Sequence, residues 1–458
     1  RATTIEAMPR SNAEAVELGH ELLKQREQES RRLDLIHDYL RDDPDDRKNP
    51  VLGGLPKDAP QDVLRLARIS RVNLLKFIVN ARVQAMFVDG FQTPTSADNV
   101  AQWTAWQRNR MDARQIGVHR AALAYGASYV LVLPGDTAPV MRGYSPRKLT
   151  VGYGDDDDWP AAALEKRRGK GRWRLIDNEA TWELVQRDGD RLEVLTEPPM
   201  KVHEAQDDGE PVCPVVRYRD TDDLDDPVVG IVEPFIPLQD QINVTTFGLM
   251  VAQHYGAFRQ RYIIGWLAET EKAALKMGAS RVQTFEDPDV KVGEFAQTDL
   301  RGYIESREAN LRHLATVSQT AVHELLGQFV NLSAAALEAA RASHHAAVGE
   351  NRIVMGEAHE QALNLAGSML DRPVTPEPEA TVAWRDTRVR SLSEAATAFG
   401  QLVRELGVPP RELWHRIPGI AQHEVERWIA AAEEADESDP IARLEAELRR
   451  QTDGAGAE

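Results

Sequence analysis

The chain has 458 residues and a formal net charge of −18, with 42% hydrophobic and 28% charged residues. That length allows two or three domains at roughly 150 residues each, and the composition is that of a soluble globular chain, not a disordered or membrane-embedded one. The acidic balance excludes a conventional DNA-binding protein, which needs a basic footprint to neutralise phosphates. It suits a surface past which DNA slides without sticking. No apolar run approaches the roughly 20 residues of a spanning helix; the best, Val244 to Ala257, is interrupted by Thr245, Thr246, Gln253 and His254. The polar start at Arg1 carries no apolar signal-peptide core. A single cysteine, Cys213, allows no disulfide within the chain and points to a reducing interior. Flanked by Val212 and Pro214, it reads as a buried small residue in an apolar strand.

In chain order, Ala13 to His37 reads as a helix, and Pro50 to Pro56 as an irregular linker. Ala59 to Val88 reads as helical, with Val72, Leu75, Val79, Val83 and Met86 on one face. Asp89-Gly90-Phe91 closes it as a turn. Trp103 to Asp112 and Ile116 to Tyr125 are two short helices, and Ser128 to Leu133 is a buried strand. From Pro139 to Tyr218 the pattern is short strands and turns, with a hairpin at Arg187-Asp188-Gly189-Asp190. A helix opens at Glu233-Pro234-Phe235-Ile236-Pro237 and runs toward His254. A β-like insert follows, with Arg281 to Phe285 and Val290 to Val292, and then a helix from Tyr303 to Leu326. Gly327 to Leu332 breaks that helix, and an Ala-rich helix runs from Ser333 to Leu370 with Gly349 and Gly356 inside it. Interior glycine costs about 1 kcal/mol relative to Ala, so both positions are candidate kinks. After a Pro-rich connector come a strand at Thr381 to Trp384 and helices at Ser391–Leu406, Pro409–Trp414 and Ala421–Ala435. Ser391 and Glu394 form a capping box, and the tail from Glu437 frays.

The familiar catalytic signatures are incomplete in this sequence. Gly169-Lys170-Gly171 lacks the spacing and hydroxyl of a phosphate-cradling loop, which argues against an ATP-driven motor. His323-Glu324 is followed by Leu325-Leu326-Gly327, not by the second histidine of a zinc helix. His344 and His345 point about 100° apart on a helix and read as packing or interface residues. Gly126-Ala127-Ser128-Tyr129-Val130 lacks the second glycine of a nucleophile elbow. The run Asp155 to Asp158 and the cluster Asp220 to Asp226 lack the calcium-loop pattern and read as solvated turns. The nine tryptophans are scattered, and read as core or interface anchors, not stacking platforms. No catalytic, cofactor or metal residue is assigned.

The order of segments resembles the portal proteins of tailed phages. The resemblance rests on Val72 to Phe91 ending Val88-Asp89-Gly90-Phe91, on His119 to Val132, on Val232 to Asn243, and on Asn331-Leu332-Ser333 followed by the Ala-rich helix. It covers about residues 60 to 410 and implies an α+β, mainly α fold. That fold has a β-rich wing, a helical stem, a small β/α clip, a long kinked helix and a helical crown, assembled as a ring. By carry-over, 1–57 is an N-terminal helical segment and linker, 58–230 the wing, 231–254 and 303–326 the two stem helices, and 255–302 the clip. Residues 327–332 are the tunnel loop, 333–370 the kinked helix, 371–390 a return to the wing, and 391–458 the crown and tail.

The resemblance further implies a homo-oligomer, usually of twelve subunits, at one vertex of the virion, assembled in the host cytoplasm. Double-stranded DNA passes through its axis, terminase and later a head-tail adaptor dock on it, and the major capsid or scaffold protein surrounds it. It implies no membrane and no cofactor. Gln328, Phe329, Val330, Asn331 and Leu332 would face DNA; with no Lys or Arg, they would touch phosphates without gripping them. Arg307 and Arg312, on the polar face of the second stem helix, are read as inter-subunit ion pairs with Glu305 and Glu308, or as weak phosphate contacts. The alternatives are another connector or scaffold protein of a phage particle, and a hydrolase whose motif is not visible.

Overall fold

The computed structural model describes residues 10–41, 50–93, 101–154, 159–187, 191–195, 201–203, 205–207, 209–222, 229–256, 261–264, 291–294, 299–327, 334–370, 372–385, 392–414, 417, 420 and 422–438. The elements are α1 Asn12–Leu40, α2 Pro50–Gly53, α3 Gln61–Ile69, α4 Leu74–Gln84, β1 Val88–Gln92, α5 Gln102–Arg108 and α6 Met111–Tyr125. A run of strands follows: β2 Ala127–Leu133, β3 Val140–Tyr144, β4 Leu149–Tyr153, β5 Pro160–Lys166, β6 Arg172–Ile176, β7 Ala180–Gln186 and β8 Leu192–Val194. It ends with β9 Lys201–Val202, β10 Gln206–Asp207, β11 Glu210–Pro211 and β12 Val215–Arg219. Then come α7 Ile236–Gly256, β13 Arg261–Ile264, β14 Lys291–Glu294, α8 Arg301–Val317, α9 Val322–Leu326 and α10 Ala334–Ser368. The last elements are β15 Thr381–Trp384, α11 Leu392–Leu406, α12 Pro410–Trp414 and α13 Gln422–Ser438. The fold is α+β and mainly α. The chain divides into two compact units, one of residues 1–36, 79–233 and 345–458, the other of 37–78 and 234–344.

The first unit is built on a sheet buried on both faces. Strands β4-β5-β6-β7-β8 pair in sequence order, with β9 added beside β7. Side chains alternate across a strand. Leu164, Leu175, Trp182 and Leu184 therefore face one way, against Ala15, Leu22 and Leu23 of α1. Ala163, Ile176, Leu149 and Val151 face the other way, against Tyr129, Leu131 and Val215 of the sheet β12-β2-β3. Ala15, Leu22 and Leu23 lie seven and eight residues apart, one face of a helix. A Cβ at Gly19, on the same face, would stand 2.9 Å from Leu184 Cδ1, so the glycine lets α1 lie close on the sheet. Ser11 and Glu14 start α1 with a capping box: Ser11 N–H donates to Glu14 Oε2 at 2.7 Å and Glu14 N–H to Ser11 Oγ at 3.4 Å.

Helix α6 packs on β2 and β3. It stops at Gly126, whose φ of +90° is left-handed and favours glycine. A Cβ on Gly230 would lie 2.4 Å from Gly126 N, so two backbones cross there at a distance only glycine allows. Cys213 is buried just before β12, and burial pushes its thiol pKa up, as an inert core thiol requires.

The second unit is helical, and α7 is its centre. It packs along α8 and against α2 and α3. A Cβ at Gly248 would meet the Tyr303 ring at 3.1 Å, which marks the closest approach of α7 and α8. Gln239 and Asn243, both buried, reach out of α7 to the start of α4. Leu74 N–H donates to Gln239 Oε1 and Val72 N–H to Asn243 Oδ1, each at 3.0 Å, while Gln239 Nε2 donates to Val72 O at 2.8 Å. Amide groups at a helix start have no partner within the helix; here a neighbouring helix supplies the caps. Below them the Tyr39 hydroxyl donates to Asp240 Oδ1 at 2.7 Å, and Arg71 lies over the Tyr39 ring.

Several expectations change. Tyr303 to Leu326 is not one helix: α8 ends at Val317, and Gln319 takes a φ of +54° before α9 begins. Ser318 Oγ donates to Thr320 Oγ1 at 3.0 Å and Thr320 N–H to Ala315 O at 2.9 Å, so hydroxyl-bearing residues compete with the helical ladder. Asp89-Gly90-Phe91 is not a turn but the middle of β1, paired antiparallel with the distant β15 from Val88↔Trp384 to Gln92↔Thr381 and bulged between Val88 and Gly90. The Ala59 to Val88 region is two helices, α3 and α4, split at residues 70–73. The linker at Pro50 contains the short helix α2. The break among the tryptophan helices falls at Asn109–Arg110, where Arg110 has a φ of +54°. In the insert, the described pair is β13 with β14; Arg281 to Phe285 lies outside the described residues, as does Ser391.

Candidate functional site

The five residues expected to face DNA, Gln328 to Leu332, lie outside the described residues. Their borders are described. Gly327 ends α9 with a left-handed φ of +66°, and Ala334 opens α10. Between these ends, Arg341 of α10 holds Glu324 of α9 at 2.9 Å. The first turns of the long helix are thus tied by an ion pair to the short helix that precedes residues 328–333.

Arg307 and Arg312 project from α8 in different ways. Arg312 reaches back one turn to Glu308 at 3.1 Å, an ion pair within its own helix. Such exposed pairs contribute a few tenths of a kcal/mol. Arg307 Nε donates to Thr246 Oγ1 at 3.3 Å and so fastens α8 to α7. Both arginines have partners within the chain, and neither pairs with Glu305 there.

Helix α10 runs through Gly349 and Gly356 without losing its helical assignment. A Cβ at Gly349 would meet nothing within 4 Å, and one at Gly356 would make ordinary contact with Trp384 at 3.5 Å and Val382 at 3.6 Å. Crowding within the chain therefore does not require glycine at either position. The tightest glycine of this helix is Gly367, where a Cβ would lie 2.8 Å from Gln102 Cγ.

Two buried polar clusters escaped the sequence reading, because their bonded members stand 131 to 269 residues apart. In the first, the Tyr218 hydroxyl and His359 Nδ1 are 3.0 Å apart, and His359 Nε2 is 2.7 Å from His119 Nε2. Trp106 and Trp384 flank the pair edge-on or tilted. Burial holds His119 down at about 4 and His359 well below the usual histidine value, so both rings are neutral. Two ring nitrogens so close share one proton in a hydrogen bond; two ligands of one tetrahedral metal, each about 2.0 Å from it, would stand farther apart. In the second, Asn351 Nδ2 donates to Asp220 O at 2.7 Å and Asp220 Oδ1 at 3.0 Å, and Arg82 donates to Asn351 Oδ1 at 3.3 Å. Burial pushes Asp220 up to about 7 against the pull of Arg82. Both clusters pin α10 to the sheet β12-β2-β3. Their members are buried and bonded to one another, so both clusters hold the fold together. Among the described residues there is no group of three or more His, Cys, Asp or Glu able to hold a metal.

Comparison with known proteins decides the family. The family model described as phage portal protein, SPP1 Gp6-like, matches residues 20–438. The chain belongs to the phage portal proteins. These are structural proteins of the phage particle, not enzymes, and the portal reading of the segment order holds. Solved structures resemble the chain at low identity. A chain of the neck of an empty gene transfer agent particle, computed with C6 symmetry, is 14% identical, with a TM-score of 0.46 over 78% of this chain and 92% of that one. A chain of the neck of the native particle, computed with C12 symmetry, is 16% identical, with a TM-score of 0.48 and the same coverage. A chain of the native virion is 14% identical, with a TM-score of 0.47, over 78% of this chain and 91% of that one. No curated protein matches the chain.

Proposed function

We propose that this portal protein closes into a ring, of twelve copies by the family's usual count, at one vertex of a phage head. Its axis conducts double-stranded DNA during packaging and ejection. In this reading α7 and α8 are the stem, the chain between them is the clip on which terminase and then the head-tail adaptor dock, and 391–458 is the crown. The surrounding shell contact is the major capsid or scaffold protein, and assembly takes place in the host cytoplasm. ATP hydrolysis belongs to the terminase, and the ring itself performs no catalysis.

The observation that carries this reading is the family match across residues 20–438, which spans every element from within α1 to the end of α13. Two features of the chain support it. A ring of twelve copies at −18 each carries −216 formal charges, which suits a low-friction passage for a polyanion. Helix α7 is predominantly apolar, yet its buried residues within one chain are only Gln239, Ile242, Asn243 and Thr246. Val244 is 52% exposed on α7, and Tyr303 and Ile304 are 40% and 45% exposed on α8. Neighbouring copies would cover these exposed apolar side chains.

Native mass and particle images test the proposal. A species near 613 kDa, twelve copies of 51.1 kDa, with a central hole is the expected result. A compact monomer under all conditions, including in the presence of the shell protein, would overturn it.

A further inference from the structure

A groove between α6 and the end of β3 carries a charge opposite to that of the chain as a whole. It encloses about 670 Å³ and is lined by Arg114, Arg120 and Arg142, with no carboxylate among its lining residues. Ala113, Gly117 and Ala121 recur every four residues of α6 and form a low floor. A Cβ at Gly117 would meet nothing within 4 Å, so the floor is open. Arg114, Arg120 and Arg142 are exposed. Arg114 is steadied by Met141 O at 3.2 Å and Arg120 by Asn80 Oδ1 at 3.0 Å, contacts that fix each guanidinium without neutralising it. The carboxylate nearest in sequence, Asp112, accepts from the Trp106 indole at 2.8 Å. Three positive charges held together, on a chain with 73 acidic and 55 basic side chains, are an uncompensated feature.

We infer that this groove receives a carboxylate-bearing segment of a second copy of the chain and forms part of the contact between neighbours. The inference rests on the ring reading above. In a closed ring each copy meets the next through two different surfaces, one complementary to the other. Chains that are all strongly acidic repel unless one of those surfaces is locally basic, and complementary charge fixes register and suppresses wrong pairings. The groove supplies the basic half, and the acidic excess of the chain supplies the other. The small-residue floor lets the incoming backbone lie close, and guanidinium forks suit carboxylates bidentately. DNA is the competing anion. It is disfavoured because three charges in one pocket neutralise little of a duplex, while the chain around them is acidic.

The test uses the full chain. In Arg142→Lys the lysine amine stands where the guanidinium was, and a carbodiimide joins amines to carboxylates in direct contact. The expected result is a dimer-sized product that appears with Arg142→Lys and is absent from the parent, with the cross-linked peptide carrying an Asp or Glu of a second copy. Alongside it, Arg114→Glu/Arg142→Glu should raise the concentration for half-assembly at least tenfold, with an unchanged unfolding midpoint of the monomer. Undiminished assembly of the double variant, or cross-links only within one copy, would overturn the inference while leaving the ring intact. Failure of the parent chain to form rings would instead strike the ring reading itself. A 30-base-pair duplex that binds the parent and not the double variant, with assembly unchanged, would reassign the groove to DNA.

Discussion

The sheet-based unit and the helical unit bury their apolar residues to very different degrees. In the first, the sheet β4-β5-β6-β7-β8 is covered on both faces by parts of its own chain, and Leu164, Leu175, Trp182 and Leu184 are fully buried. In the second, α7 and α8 cover each other along one side, while Val244, Tyr303, Ile304 and Val317 remain at least 40% exposed. The first unit holds itself together with side-chain packing. The second buries Leu75, Ile78, Ile242, Leu311 and Leu314 beside the amides of Gln239 and Asn243, and leaves apolar side chains exposed on α7 and α8. The sheet of the first unit is thus covered by its own chain, while the α7–α8 pair of the second leaves apolar side chains open along one side.

The most severe way to break the first unit is Trp182→Ala. Removing a fully buried tryptophan should cost about 3–5 kcal/mol, read as a fall in the denaturation midpoint of the monomer. The loss should be the same in monomer and ring if the sheet is self-sufficient. A loss confined to the ring would contradict the contrast drawn here.

Gln239→Leu probes the second unit. It leaves the Leu74 amide and the Val72 carbonyl without their partners, and stranded buried groups cost about 1–3 kcal/mol each. Hydrogen exchange should speed up at the start of α4 and leave β4 to β8 unaffected.

The pair His119–His359 gives the first unit an acid limit. Its folded-state values lie below the unfolded value near 6.5, so the stability it contributes is present above that pH. That stability is lost as pH falls toward the folded value of about 4 for His119. Asp220, raised to about 7, works in the opposite sense: its contribution is full at acid pH and fades as pH rises through that value. Urea midpoints measured from pH 8 to pH 4 should therefore flatten at the acid end in His359→Phe. A flatter alkaline limb is expected in Asp220→Asn. Unchanged slopes in both variants would show that these groups bind protons alike in the folded and unfolded chain, and so that their folded-state values are not shifted.

The smallest effect on the chain itself is expected from Val244→Lys. An exposed substitution should move monomer stability by no more than about 0.5 kcal/mol, yet it places a charge on the apolar face of α7 and should lower ring yield sharply. Full ring yield would mean that this face is not an interface.

Much of the architecture was legible in the chain because it is local. Composition and helix-end signals placed α1, α7, α10 and α11, and β-rich runs between turns placed β2, β4, β7, β8 and β15, since both kinds of signal are settled within a few residues. Gly126 and Gly407 marked helix ends and both take left-handed φ values, +90° and +68°. Segment order was enough to indicate the portal family. What the sequence did not reveal depends on partners far along the chain. Asp89-Gly90-Phe91 looks like a turn because β-propensity is weak there, and it becomes a strand only when β15 arrives to pair with it. The break at Ser318 to Ala321 was hidden inside a helical stripe, because local hydroxyl bonds decide it and hydrophobic period does not. The polar clusters His119–His359–Tyr218 and Asp220–Asn351–Arg82, and the arginine groove between α6 and β3, carry no sequence signature at all. Sequence determines which stretches can be helix or strand, since that is settled within a few residues. Which charges and rings end up within 3 Å of each other is settled by packing, and only the tertiary structure decided it.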